Sequence, residues 1–140
     1  MKIIYKSSFV QICYSPTIEL MEVIWSPTSI KLRPSLYRSE FLTFFKYQNI
    51  YKAPNILVDE RMFNYKVDNE LEKWVNNTLK ERVKFFAKKV AIVINENDIK
   101  NNSIEQRIEQ AHLINTQMAF FKDKTSAKDF LIKEYQMDSK

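Results

Sequence analysis

The sequence predicts an α/β domain in which a five-stranded mixed sheet is covered by about four helices. Residues 2–26 are rich in Ile, Val, Tyr, Phe and Trp, which is typical of strands. The rest of the chain alternates short apolar runs with longer segments of 3.6-residue periodicity. Strands that alternate with helices pair in parallel through right-handed crossovers, so we expect an N-terminal β-hairpin followed by β-α units.

The predicted hairpin lies within residues 2–26. Apolar and polar side chains alternate over residues 9–14, and Pro16 interrupts the alternation. Residues 20–25 resume the pattern, with Glu22 facing away from its apolar neighbours. The two runs therefore predict a pair of antiparallel strands.

Helices are predicted after this hairpin and after the first buried strand. Pro34 suits the first turn of a helix, and aromatic residues then recur on one face to about Tyr51. Asp68 is predicted to cap a second helix, with Glu70 and Glu72 in the first turn, where the helix dipole favours acidic groups. Pro54 is predicted to end the first of these helices.

Three later strands and two helices complete the domain. Residues 55–60 and 90–94 are nearly continuous apolar runs, as in strands that are covered on both faces, and residues 118–121 form a shorter one. Ser103 with Gln106 predicts a capping box, and Asp123 predicts the start of the last helix. We expect one domain over residues 1–135 and a polar tail over residues 136–140, because 140 residues are too few for two domains.

The order and spacing of several short blocks resemble a known family. The blocks are residues 23–25, 56–59, 72–74, 88–93, 103–105 and 120–123. Together they resemble bacterial STAS/SEC14-type domain proteins of the SpoIIAA-like superfamily. The resemblance implies a SpoIIAA-like fold and a protein that binds protein partners or small ligands. Anti-sigma factor antagonists of that superfamily carry Asp followed by a phosphorylatable Ser, whereas Asn69 and Glu70 follow Asp68 here, so no phospho-switch of that type is expected.

The composition excludes several classes of site. The chain contains no glycine, which excludes the glycine-rich phosphate loops and the nucleophile elbow, and we expect Asn residues at left-handed turn positions instead. His112 and Cys13 are the single residues of their types, so neither a metal site nor a disulfide is expected, and Cys13 is predicted as a core residue. We expect no cofactor and no catalytic activity.

The charge and hydropathy pattern limits the kinds of partner that we expect. The net charge is +5, and the apolar run at residues 90–94 is far shorter than a bilayer span. We therefore expect a soluble cytoplasmic protein without integral membrane association. The basic run at residues 80–89 contains Phe85 and Phe86, but helical spacing turns Phe86 inward, so a solvated helix end is favoured over a nucleic-acid site.

Polar residues near the carboxyl ends of the predicted parallel strands form one candidate site. Ligands gather at this edge in open α/β sheets, and Asp59 stands at the end of a central strand. The alternative is that Asp59 binds turn amides or pairs with Arg61, which we favour over a phosphoacceptor role because no acidic pair follows the first strand. The candidate ligand-binding residues are Asp59, Asn64, Asp68 and Asn95.

The first helix suggests a protein interface. Its aromatic residues span an arc too wide for one buried face, and exposed aromatics next to Arg mark contact surfaces. The loop over residues 27–34 is predicted to belong to the same face. The alternative is a thick core layer with scattered Tyr residues on the surface. The candidate interface residues are Arg33, Tyr37, Arg38, Phe41, Phe45 and Tyr51. The sequence thus predicts a non-catalytic regulatory domain that binds a protein partner or a second copy of itself. The alternative is a domain that binds a small molecule or an anion at the edge near Asp59 and Asp68.

Overall fold

The computed structural model describes residues 1–82, 87–95, 103–113 and 115–138. Within these residues one mixed sheet contains six strands, whose spatial order follows the chain. The strands are β1 (Lys2–Lys6), β2 (Val10–Ser15), β3 (Leu20–Trp25), β4 (Asn55–Asp59), β5 (Lys89–Val93) and β6 (Gln117–Phe121). Strands β1 to β3 pair in antiparallel fashion, and β3 to β6 pair in parallel. The predicted α/β class is confirmed.

The additional strand arises because the first predicted strand is divided in two. The chain turns after Lys6, where the amide of Ser7 donates to the carbonyl of Val10 at 2.9 Å. The hydroxyl of Ser7 also accepts hydrogen bonds from the amides of Phe9 and Val10, at 3.1 and 3.2 Å. The serine hydroxyl therefore takes the role that an Asn or Asp side chain often has in a turn, in which it accepts hydrogen bonds from nearby backbone amides.

The described residues also contain four α-helices and one short 3-10 helix. The α-helices are α1 (Pro34–Tyr51), α2 (Asn69–Arg82), α3 (Ser103–Leu113) and α4 (Lys124–Asp138), and the 3-10 helix covers Pro27–Lys31. The carboxylate of Asp68 accepts from the amide of Leu71 at 2.8 Å, which confirms the predicted cap of α2. The last helix continues beyond residue 135, where the sequence pattern predicted a polar tail.

The helices cover the two faces of the sheet unequally. Because consecutive parallel strands step in one direction across the sheet, right-handed crossovers place the connecting helices α1, α2 and α3 on one face. Aromatic residues of α1 pack there against Met21, Ile56 and Ile92. Helix α4 covers the opposite face, where Ala127 and Leu131 pack in a second core cluster.

Left-handed backbone occurs at three described positions in this glycine-free chain. Asn115 has a φ of 55°, as expected for an asparagine, but Glu19 and Lys52 take the same region at 50° and 52°. Lys52 ends α1, and its amide donates to the carbonyl of Gln48 at 2.7 Å. Such a helix end normally carries glycine, because a Cβ atom crowds the left-handed backbone.

Some predictions fall outside the described residues. These are the inward position of Phe86, with the basic run around it at residues 83–86, and the side chains of the Ser103 and Gln106 capping box. In the described part of the chain, no helix has both the length and the apolar character needed to cross a bilayer.

Candidate ligand-binding cavity

A cavity of about 680 Å³ opens at the carboxyl ends of the parallel strands, on the face that α1, α2 and α3 cover. The ends of all four parallel strands contribute to it. Trp25 comes from β3, Glu60 and Ile94 directly follow β4 and β5, and Phe120 lies on β6. This is the edge at which open α/β sheets bind ligands.

Aromatic rings form one wall of the cavity. The ring of Trp25 lies nearly parallel to that of Tyr37, at 7° with 6.3 Å between centroids. Phe63 meets Trp25 edge-on at 4.8 Å, and Tyr65 stacks on Tyr37 at 5.8 Å. Phe41 lies one turn after Tyr37 on α1 and continues the wall at 6.3 Å. Each such pair adds about 0.5–1.5 kcal/mol beyond area burial, so the rings hold one another in place.

The loop between β4 and α2 supplies two of these rings and is held by Ser29. The hydroxyl of Ser29, which is fully buried in the 3-10 helix, accepts from the amide of Asn64 at 2.8 Å. It also donates to the carbonyl of Met62 at 3.4 Å. Phe63 and Tyr65 alternate with these anchored positions, so their rings are fixed toward the cavity.

An ion pair lies at the polar side of the cavity. The guanidinium of Arg107, on α3, donates to both carboxylate oxygens of Glu60, at 2.6 and 2.5 Å. The side chains are 30% and 16% exposed. The guanidinium carbon also lies 5.6 Å from the ring centroid of Phe120. Burial opposes the charge of Arg107, but the carboxylates of Glu60 and Glu72 outweigh it and raise the Arg107 pKa, so this cation persists at every physiological pH.

Tyr37 contributes a neutral hydroxyl to the same cavity. Burial raises the Tyr37 pKa to about 12; Arg107 opposes this shift, whereas Glu60 and Glu72 reinforce it. At neutral pH the phenol is therefore protonated, and it can donate a hydrogen bond but cannot act as a base.

A smaller apolar cavity of about 140 Å³ adjoins the first one. Phe41 and Arg107 line both cavities, and Phe44 and Phe45 of α1 line the smaller one. The bulky rings of α1 thus face the sheet and α2 across incompletely filled space.

The predicted ligand-binding residues do not converge on one site. Asn64 lines the large cavity. Asp59 points to the opposite face, where it accepts from the amide, Nε and a terminal nitrogen of Arg61 at 3.2, 3.0 and 2.8 Å. The favoured pairing of Asp59 with Arg61 is therefore confirmed. Asp68 caps α2, and the amide nitrogen of Asn95 donates to the carbonyl of Arg61 at 2.6 Å.

The predicted interface residues of α1 divide between the interior and the surface. Tyr37 and Phe41 line the large cavity, and Phe45 meets Phe41 edge-on at 4.8 Å. Tyr51 packs on Tyr14 of β2 at 4.7 Å. Of these six predicted residues, the two that the structure leaves exposed are Arg33 and Arg38.

A second group of charges lies on the face covered by α4. The ammonium of Lys124 lies 3.1 Å from a carboxylate oxygen of Glu22 and 3.6 Å from one of Asp59. Both carboxylates are buried, and Cys13, opposite Glu22 in the sheet, is buried as predicted for a core residue. In the described residues no group of three or more His, Cys, Asp or Glu is placed to hold a metal ion.

Sequence reasoning missed most of the cavity. Glu60 was detectable, because successive strand residues point to opposite faces and Asp59 already faces α4. Phe63 and Tyr65 were also detectable, because they lie two residues apart in the segment that follows β4. Arg107 carried no local signal, because its partner is 47 residues away in the chain.

Comparisons of this chain with family models, with curated proteins and with solved structures returned no match.

Proposed function

We propose that this chain is a non-catalytic regulatory domain that binds a small organic molecule in the aromatic cavity. The observation that carries the proposal is the cavity itself, at about 680 Å³ on the carboxyl edge of the sheet. Small-molecule pockets usually measure roughly 300–1,000 Å³ and combine apolar and aromatic walls with a few placed polar groups. The cavity of this chain likewise combines aromatic walls with a few polar groups, which belong to Arg107, Glu60 and Tyr37.

The ionisable groups of the cavity support binding rather than catalysis. Both oxygens of Glu60 accept hydrogen bonds from Arg107, which leaves this carboxylate poorly suited to remove a proton from a substrate. The pKa of Tyr37 is about 12, far above the range of an efficient general base at neutral pH.

The regulatory part of the proposal draws on the resemblance to STAS/SEC14-type proteins, which bind partners or small ligands. Because Asn69 and Glu70 follow Asp68, this chain lacks the phosphorylatable Ser that controls anti-sigma factor antagonists. Occupancy of the cavity would take the place of that phosphorylation. We further propose a cytoplasmic location, which is supported by the single reduced cysteine in the core, Cys13.

A ligand screen with a cavity-filling variant tests the binding function. Wild type is melted with a panel of organic metabolites, and a ligand at 100 times its Kd stabilises the fold by about 2.7 kcal/mol. Val67→Trp fills the cavity that Val67 lines, whereas Ile18→Trp adds the same bulk at a half-buried site on the α4 face. We expect the ligand-induced rise in Tm to disappear in Val67→Trp and to persist in Ile18→Trp. Ligand stabilisation that survives in Val67→Trp would refute binding in this cavity.

A second candidate function is protein binding beside the cavity, which two exposed apolar side chains favour. Ile30 and Met62 are 63% and 59% exposed, on segments that the Ser29 hydrogen bonds hold together. The exposed Arg33 follows in the same region. Capture from the native cytosol with wild type and with Ile30→Glu tests this face. A partner that is retained by Ile30→Glu excludes the face as its binding site.

A further inference from the structure

The formal charges of the cavity lining cancel. Among the described residues that line the cavity, Glu60 and Glu72 are acidic, and Lys66 and Arg107 are basic. Glu60 and Arg107 neutralise each other through two hydrogen bonds, and Glu72 interacts electrostatically with the same guanidinium. Lys66 is exposed, so water and salt screen its ammonium. These four residues therefore offer a ligand no unbalanced charge.

A charged ligand would have to disturb the ion pair of the cavity. An anion that binds Arg107 leaves the carboxylate of Glu60 without its partner, and a cation that binds Glu60 leaves the guanidinium. The side chains of Glu60 and Arg107 are 16% and 30% exposed, so the group left unpaired lies largely out of water. Separating the members of such a pair is strongly unfavourable, whereas an uncharged ligand leaves the pair intact.

The rings of the aromatic wall share an orientation that suits a flat ligand. Those of Trp25, Phe41 and Tyr65 are tilted by only 7°, 25° and 28° from their common neighbour, the ring of Tyr37. Aromatic rings favour offset stacking over contact with saturated groups of equal size. A planar aromatic molecule can therefore continue this series of nearly parallel rings.

Two polar side chains of the lining can pair with the edge of such a molecule. Neither the hydroxyl of Tyr37 nor the amide of Gln110 is hydrogen-bonded to another residue that the structure describes. The phenol donates a hydrogen bond, and the half-buried amide of Gln110 can both donate and accept. A ligand edge with both a donor and an acceptor would satisfy these groups when they lose contact with water.

We infer that the cavity selects uncharged, planar aromatic molecules whose edge carries a carboxamide or an equivalent pair of donor and acceptor. This inference rests on the proposed ligand-binding function and deepens it, because it names the chemical class of the ligand. The nearly parallel rings receive the face of the molecule, and Tyr37 and Gln110 receive its polar edge. The ion pair of Glu60 and Arg107 stays intact.

The test compares probes of similar size that are substituted at the same ring position. They are naphthalenecarboxamide, the saturated decahydronaphthalenecarboxamide, the anion naphthalenecarboxylate and the cation naphthylmethylammonium. Affinity is measured by calorimetric titration of the full chain. We expect naphthalenecarboxamide to bind about fivefold more tightly than the saturated amide, which cannot stack. It should bind at least about tenfold more tightly than either ion, and Val67→Trp should abolish its binding.

Two tyrosine variants test the polar edge. Tyr37→Phe keeps the ring and removes the hydroxyl, so it should weaken naphthalenecarboxamide about fivefold and leave methylnaphthalene, which has no polar edge, unchanged. Tyr47→Phe, the same change on α1 outside the lining described above, should leave the binding of both probes unchanged. If Tyr37→Phe does not fold, Gln110→Leu removes the other polar group and should produce the same selective loss.

The outcomes separate the two proposals. Equal or tighter binding of the saturated probe or of either ion, abolished by Val67→Trp, overturns the inference about ligand class and leaves the ligand-binding function standing. Undiminished binding of naphthalenecarboxamide by Tyr37→Phe overturns it in the same way. If no probe and no member of the metabolite panel binds in a way that Val67→Trp abolishes, both proposals fail.

Discussion

The ion pair between Glu60 and Arg107 should stabilise the fold as a single unit. It joins the residue after β4 to the middle of α3 through two charged hydrogen bonds, at 2.6 and 2.5 Å. The perturbations are Glu60→Gln, Arg107→Met and the two changes combined. Methionine keeps the aliphatic bulk of arginine, so the variants remove charge and hydrogen bonds more than volume.

The structure sets the size of the expected losses. Removing one partner of a fully buried ion pair costs about 3–5 kcal/mol, and a hydrogen bond to a charged group contributes about 1.5–3 kcal/mol. The side chain of Arg107 is 30% exposed, so water partly screens the charge that is left behind. We therefore expect each single change to lower the free energy of unfolding by about 2 kcal/mol. The double change should cost little more than one single change, because no unpaired charge remains, which gives a coupling energy of about 2 kcal/mol.

Equilibrium unfolding in urea measures these values, and thermal melting checks them. A loss of about 2 kcal/mol should lower Tm by roughly 4–8 °C in a chain of this length. Arg38→Met, at an exposed position of α1, serves as the control and should change the free energy of unfolding by less than about 0.5 kcal/mol. Losses that add to within about 0.5 kcal/mol in the double variant would show that the two side chains act independently, contrary to the coupling expected of an ion pair.

Three further changes test other parts of the fold. Lys52→Gly should raise the free energy of unfolding by about 1 kcal/mol relative to Lys52→Ala, because φ at this helix end is 52°, and equal stabilities in urea would contradict this. Tyr5→Phe should lower the free energy of unfolding by about 1 kcal/mol, because the buried carboxylate of Glu40 loses the 2.6 Å hydrogen bond from the phenol; an unchanged urea midpoint argues against it. Burial alone would raise the Asp59 pKa, but hydrogen bonds and charge from Arg61 bring it below the ordinary 3.8. The ionised carboxylate of Asp59 therefore stabilises the fold at pH values above its ordinary pKa of 3.8, and this contribution is lost as the pH falls through the lower pKa of the folded protein. The stability gap between wild type and Asp59→Asn should shrink below about pH 4 in urea titrations, and a gap that does not change with pH would count against the pairing.

Most of the fold was predictable because its signals are local. Pro34 and Asp68 mark helix starts through their own backbone and side-chain chemistry, and both begin or cap helices in the structure. The apolar runs around Ile56 and Ile92 are buried strands as predicted. The division of the first strand was missed because the turn contains no glycine, proline or asparagine, and the hydroxyl of Ser7 satisfies its amides instead.

The candidate site was less predictable because its parts meet only in the folded chain. The wide aromatic arc of α1 predicts either an outer interface or a thick core layer, because it is wider than the single stripe that a helix usually buries. In the structure other elements cover that arc, since Trp74 of α2 meets Phe41 edge-on at 5.5 Å and Phe63 approaches Tyr37 at 6.4 Å. The periodicity of α1 gives no information about the residues that other parts of the chain place against it.

The consecutive carboxylates of Asp59 and Glu60 help to fix the shape of the cavity. Strand alternation sends them to opposite faces of the sheet, where Asp59 pairs with Arg61 and Glu60 pairs with Arg107. The start of the loop after β4 is thus held from both sides, and Ser29 holds its middle through the amide of Asn64. The loop that carries two of the five rings of the aromatic wall is therefore held in place by the fold itself. Under the proposed function, a ligand would not have to supply that ordering energy, which lowers the cost of binding a small molecule.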